Sequence, residues 1–351
     1  MALGRKLLLV LMFCLMATSG FAAAIPNYYV DTDAADGGDG SVGSPFDHLM
    51  DWEALNVDLT AYDAGTSIVY CSGVTADTNT VTIAGWTTND THKIKIIGDN
   101  TTGAESTSCY RLSGITLGGA GTILTLTNNY ITISNIEITA ITTSSENTGV
   151  GIYLEGTNEI IENCIIHDFA TLTYGIIIAI QNNGVNNQIY NNLIYDISGY
   201  QIRGILQVDS GTSLKVYNNT IYNLTGTTYG QGIATDYTDR QNNIVIGCTT
   251  DYTGGTSMIV DNYNMSLDAT AAGANSLTGK TAANTWTAAT TGDFTLKTGS
   301  EAIGAGADLS GTLTTDIIGA TRSTWDMGAF YKAASVASTS PPFFSIINVG
   351  D

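Results

Sequence analysis

Four stretches, set one beneath another, decide the fold. They are Ile133-Ser-Asn135-Ile-Glu-Ile138-Thr-Ala-Ile141, Ile161-Glu-Asn163-Cys-Ile-Ile166-His-Asp-Phe169, Ile189-Tyr-Asn191-Asn-Leu-Ile194-Tyr-Asp-Ile197 and Val216-Tyr-Asn218-Asn-Thr-Ile221-Tyr-Asn-Leu224. Their asparagines recur every 27 or 28 residues. A second series, Gly151-Ile152, Gly175-Ile176, Gly204-Ile205 and Gly232-Ile233, keeps a similar step, and Asn242-Asn243-Ile244-Val245-Ile246 is a degenerate fifth copy. Within each unit apolar residues alternate with polar ones over short runs broken by Asn and Gly, with no helical period between them. One such unit cannot bury its own apolar face, so copies must stack. The reading is an all-β chain, a right-handed parallel β-helix solenoid, in which the aligned Ile and Val form inward columns. The aligned asparagines are expected to bond along the stack from turns with left-handed backbone.

Working outward, Phe46 to Leu59 carries helix-like apolar spacing, which predicts a short capping helix over the N-terminal end. The expected organisation is a signal peptide over 1–24, an N-terminal cap over 25–66, coils over 67–300, a C-terminal cap over 301–332 and a tail over 333–351. The leader rests on Arg5 and Lys6, then the apolar run Leu7 to Met16, then small residues up to Ala24, where cleavage is placed. That run is too short to cross roughly 30 Å of hydrocarbon, so no membrane span is expected in the mature chain. The expected location is extracellular or cell-surface associated.

The chain has 12 basic and 32 acidic residues, a net charge of −20. Such a field repels nucleic acid, and it opposes tight binding of polyanions without a bridging cation. Four cysteines, Cys71, Cys109, Cys164 and Cys248, follow the leader without a CxxC pair, and there are 3 His, so a Cys/His zinc set is not expected. Export permits a Cys71–Cys109 bridge, whereas Cys164 and Cys248 read as small apolar residues of the repeat.

With the coils and both ends in view, the chain resembles the pectate-lyase-like β-helix proteins of bacterial surfaces, and within them the choice-of-anchor-Q type. The opening Tyr28-Tyr29-Val30-Asp31 with Asp36 to Ser41 and Pro45-Phe46 carries that likeness. So does the closing Asp293-Phe294-Thr-Leu296 to Gly299-Ser300-Glu-Ala302-Ile303, with Gly319, Arg322 and Asp326 to Phe330. The resemblance implies the fold and export. It implies activity weakly, because one scaffold hosts lyases, hydrolases, adhesins and inert stalks.

Two site readings follow. Tyr190, Tyr195, Tyr217, Tyr222 and His167 alternate with the inward isoleucines, so they form an outward ring platform suited to sugars, the partner then being a polysaccharide or cell-surface glycan. Alternatively, a polysaccharide lyase acting by β-elimination on a uronate polymer needs a base and a cation on the carboxylate. Lys215 falls opposite Asp239 one coil away, so Lys215 or Arg240 is the candidate base, and Asp209, Asp236 and Asp239 the candidate calcium ligands. No cofactor is required on the first reading, and calcium serves the second. Asp236 with Asp239 could also act as the carboxyl pair of an inverting hydrolase. The favoured expectation is binding or structure at a surface.

Overall fold

The computed structural model describes residues 22–332 apart from 118–119, 144–146, 172–173, 209–212 and 256, and in it the repeat closes into a right-handed parallel β-helix. Each coil has three faces. Face A is a nine-stranded parallel ladder that begins at Tyr28–Asp31 and ends at Val260–Asn262. Face B stacks Arg111–Ser113, Glu137–Thr139 and Ile165–His167 onto the first parts of two long strands, Leu193–Gln207 and Thr220–Thr235. Face C stacks Val81–Ile83, Gly121–Leu126, Thr148–Leu154 and Ile176–Asn182 onto the second parts of the same strands.

Side-chain alternation explains the closure. On face A, Ile96, Ile133, Ile161, Ile189 and Val216 lie in register and are fully buried. Leu112, Ile138, Ile166, Ile194, Ile221 and Val245 do the same on face B. Each such side chain stabilises the fold by about 1.5–3 kcal/mol relative to exposure, against the entropy of ordering the backbone. The Gly-Ile series had one wrong member: Ile152 pairs with Ile180, not Ile176, because Ala179 stands where the neighbouring coils have glycine.

The asparagine corner divides its work between adjacent residues. Asn135, Asn163, Asn191, Asn218 and Asn242 hold the left-handed backbone, with φ between 50° and 60°. The amide ladder belongs to the residue that follows. Cys164 N donates to Asn192 Oδ1 (2.9 Å), and Asn192 N to Asn219 Oδ1, Asn219 N to Asn243 Oδ1 and Asn243 N to Asn264 Oδ1, each at 3.0 Å. Their Nδ2 groups donate to carbonyls of the preceding coil, at Ile161, Ile189 and Val216. These buried amides are thereby satisfied.

Both ends differ from expectation. The short helix Leu49–Glu53 does cover the N-terminal coils, burying Leu49 and Trp52, with Trp52 stacked on Trp86 at 4.6 Å. The first rung, however, is already Tyr28–Asp31, inside the stretch assigned to the cap. The last rungs are Val260–Asn262 and Met265–Ser266, well short of residue 300. Beyond them the antiparallel pair Trp286–Ala288 and Asp293–Leu296 begins a strap that returns along the outside of face B. The side chains of the left-handed asparagines hold it. Asn191 Nδ2 donates to Thr315 O (2.8 Å), Asn218 Nδ2 to Asp326 O (2.9 Å), and Asn242 Nδ2 to Ala307 O (2.9 Å). Arg322, buried in the strap, donates to Asn191 Oδ1 and to the Gly328 and Ala329 carbonyls. Trp286, Phe294, Met327 and Phe330 form a second core against Ile165, Leu193 and Ile244.

The expected Cys71–Cys109 bridge is not formed; all four cysteines named above are free thiols. Cys71 is buried, in contact with the main apolar core, whereas Cys109 Sγ donates to Ser106 O in the excursion before Arg111. Cys164 and Cys248 pack with the main core, as small apolar residues would. Residues 1–21, most of the expected leader, and the expected 333–351 tail lie outside the described residues. No helix among the described residues is long and apolar enough to cross a membrane.

Candidate functional site

The charged cluster expected on face A is split by the strand that carries it. Lys215 and Asp239 are register partners on the outer side. Asp239 accepts from Tyr217 Oη (2.5 Å) and Gln241 Nε2 (2.8 Å). Arg240 is the next residue along, so it points the other way, in the column of Ile189 and Val216. It is 2% exposed and forms a two-pronged pair with Asp261 at 2.9 and 2.7 Å. Its guanidinium also donates to Thr253 O (3.1 Å) and lies 5.1 Å from the Tyr252 ring centre. A base placed there faces the last coils of the lumen rather than an outer groove. Strand period alone separates Lys215 from Arg240, and that signal was present in the sequence. Asp236 accepts from Gly255 N (2.8 Å) in the turn, and Asp209 lies outside the described residues.

The ring ladders leave the coil outward, as expected, yet most of their surface is covered. Tyr190 Oη donates to Glu162 Oε2 at 2.5 Å, and Glu162 Oε1 pairs with Lys95 Nζ at 2.7 Å. Burial and the adjoining carboxylates push the Tyr190 and Tyr217 phenols up. On face B, His167, Tyr195 and Tyr222 occupy successive rungs, and the first two stack at 4.9 Å with planes 3° apart. Phe294 of the strap lies 5.0 Å from Tyr195 and 5.7 Å from Tyr222, and Trp286 lies 5.6 Å from Tyr222. His167 and Tyr195 are each 3% exposed. The expected open platform on face B is therefore the floor of the second core.

His167 brings together acids that no motif signalled. Its Nε2 lies 3.3 Å from Glu137 Oε1, and its Nδ1 lies 3.0 Å from Asp168 Oδ2, 3.3 Å from Thr139 Oγ1 and 3.6 Å from Glu105 Oε2. Glu137 is held by Asn100 Nδ2 (3.0 Å) and Ser106 N (2.8 Å). Burial disfavours the charged imidazole, but the hydrogen bond and charge of Glu137, with Asp168, outweigh it and hold the ring above its ordinary pKa. One faint signal existed: Glu137 stands in the repeat where later coils have Ile165 and Leu193.

One open surface lies at the corner between faces B and C. Thr116, Thr142, Ala170, Ser198 and Thr225 follow one another in register there, and all but the half-buried Thr142 are exposed. Thr171, Ser198, Gly199, Thr225, Gly226 and Thr227 line a groove of about 390 Å³. Gly226 is required by the tight corner, since a Cβ there would sit 1.8 Å from Tyr229 O. Tyr174 stands beside the groove, 58% exposed, its ring edge-on to Tyr200 at 5.2 Å. Tyr200 follows Gly199 directly, and its backbone N donates to Thr171 Oγ1 (3.2 Å). Further along the same strand Arg203 donates to Tyr229 Oη (2.5 Å) and Gln231 Oε1 (3.1 Å) of the adjoining strand, both neutral groups.

No family model matches the chain, and no curated protein does. Among solved structures, the crystal structure of pectate lyase Pel9A aligns over 90% of this chain and 98% of its own, at 16% identity and a TM-score of 0.32. The parallel rungs themselves show the β-helix fold.

Proposed function

We propose that the protein is an exported β-helix that binds polysaccharide at a cell or extracellular surface, using the groove between faces B and C. The observation that carries this reading is the exposed Tyr174 ring, with Tyr200, beside a floor of small hydroxyl-bearing and glycine residues. Sugars are recognised by ring faces stacking on aromatics and by hydroxyls meeting short polar side chains. The overall charge of −20 favours a neutral glycan over a polyanion. The 1–24 leader and the choice-of-anchor-Q resemblance of the two ends support export.

The test is retention on a panel of neutral and acidic polysaccharides, measured for the wild type and for Tyr174→Ala and Tyr200→Ala. Loss of about tenfold in affinity, roughly 1.4 kcal/mol, is expected for each variant, on a neutral glycan. Equal retention of all three proteins would sink the groove assignment. The second reading, a lyase, is favoured by the Lys215–Asp239 adjacency on the outer side of face A. It requires unsaturated uronate product that disappears in Lys215→Ala.

A further inference from the structure

We propose that His167, Asp168 and Glu105 bind a divalent transition-metal ion, of which zinc is the type. The ligand atoms of these three residues all lie within 4.8 Å of one another. Nδ1 of His167 is 3.0 Å from Asp168 Oδ2 and 3.6 Å from Glu105 Oε2. Tetrahedral bonds of about 2.1 Å place neighbouring ligand atoms about 3.4 Å apart, so small carboxylate rotations suffice.

What separates this cluster from an ordinary group of surface acids is the way its imidazole is held. The ring is stacked flat against Tyr195 and is nearly inaccessible to solvent. Its far nitrogen, Nε2, faces the buried Glu137, which is itself fixed by Asn100 and by the Ser106 backbone. A carboxylate on one imidazole nitrogen orients the other towards a metal and raises its basicity. Glu137 plays that orienting part and is not a ligand. Thr139 Oγ1 and Tyr195 Oη complete the surroundings, the first 3.3 Å from Nδ1 and the second donating to Glu105 Oε2 at 3.3 Å.

Charge points the same way. Three carboxylates face one imidazole, so even a protonated ring leaves two negative charges unmatched. A dication bound through a neutral ring leaves one. The ligand exposures are graded: His167 is at 3%, whereas the Glu105 and Asp168 side chains are at 62% and 58%. The ion would sit at the surface on a buried nitrogen, with an open side for water. An imidazole in the set selects zinc, copper, nickel or iron over calcium and magnesium, which prefer oxygen throughout. Carboxylates thus supply what the cysteines and the other two histidines do not. The ion would also tie the 99–110 excursion, through Glu105, to the coil corner at Asp168.

The experiment is calorimetric titration of tag-free, chelator-treated full chain with zinc, and separately with calcium, alongside the visible spectrum of cobalt. One zinc per chain, a cobalt band and no calcium heat at the same concentration are expected. Glu105→Gln and Asp168→Asn alter exposed side chains and leave folding intact. Each should weaken zinc binding at least tenfold, and Glu137→Gln should weaken it 10–100-fold. Zinc should also raise the melting temperature of the wild type and not of the Glu105→Gln, Asp168→Asn double variant. Absence of zinc heat and of the cobalt band would overturn the proposal. So would zinc binding unchanged in the double variant, or a preference for calcium.

Discussion

The outer side of face B and the corner beside it are built from the same rungs, yet one is covered and the other is open. His167, Tyr195 and Tyr222 point away from the lumen; Tyr195 and Tyr222 lie beneath Phe294 and Trp286 of the returning strap, and His167 is stacked on Tyr195. Ser198 and Thr225, a few residues further along the same two long strands, remain exposed, with Tyr174 and Tyr200 beside them. A repeat states which side chains leave the coil. It does not state which are afterwards buried by chain from elsewhere. The left-handed asparagines are what make the difference on this molecule, because their side chains dock the strap.

The largest effect that can break this comparison is on the strap. Phe294→Ala should cost about 3–5 kcal/mol, the usual range for emptying a buried aromatic site, measured by urea unfolding. A cost under about 1 kcal/mol would mean that the strap is laid loosely on face B and the ring column is open after all. Next comes the strand alternation that puts Lys215 outside and Arg240 inside. Arg240→Ala should cost about 3 kcal/mol, the low end for breaking a buried pair, because Asn264 Nδ2 still donates to Asp261 at 3.0 Å. Lys215→Ala, on the other side, should change stability by less than about 0.5 kcal/mol. Equal effects from the two would erase the inside–outside distinction drawn here.

A corner on the opposite side of the coil sharpens the same point through pH. Glu159 is fully buried with Oε2 accepting from Asn187 Nδ2 at 3.0 Å, and burial pushes its carboxyl up to about 9. The folded chain therefore keeps a proton that the unfolded chain releases near its ordinary value. Stability from this group is greatest below about pH 4.5 and falls as pH rises towards about 9, by up to about 3 kcal/mol at pH 7. Glu159→Gln should be more stable than wild type by up to about 5 kcal/mol at pH 8, with the two converging below pH 4. A wild-type advantage at pH 8 would show that Glu159 is ionised in the fold. The smallest effect is on ligand binding. Ser198→Ala should weaken glycan retention about threefold, near the lower bound for one hydrogen bond, without changing the melting temperature.

The solenoid was legible because Ile133, Ile161, Ile189 and Val216 recur at one spacing, and stacking is the one arrangement that buries them together. The N-terminal helix was legible from Leu49 and Trp52. The strap was not, because its contacts join residues far apart in the chain, such as Asn191 with Thr315 and Asn218 with Asp326, and no local pattern encodes them. The sequence therefore showed rings at His167, Tyr195 and Tyr222 but hid what lies over them. Arg240 was a different case. Its register with Val216 was available, and the alternation rule would have placed it inside beside Asp261. Of the acid group at His167, the adjacent Asp168 was in plain view, whereas Glu137 and Glu105 arrive from another coil and from an excursion. The open groove is made of Thr, Ser and Gly, residues common throughout this chain, so nothing in the sequence marked it.

The most direct test of the central claim is tyrosine nitration of the native protein, read residue by residue by mass spectrometry, with and without the retained glycan. Tyr174 should be nitrated readily and protected by the glycan, while Tyr195 and Tyr217 stay unreacted in both conditions. Ready nitration of Tyr195, or glycan protection that falls on Tyr190 and Tyr217 and spares Tyr174, would contradict the account and return the binding surface to the ring ladders.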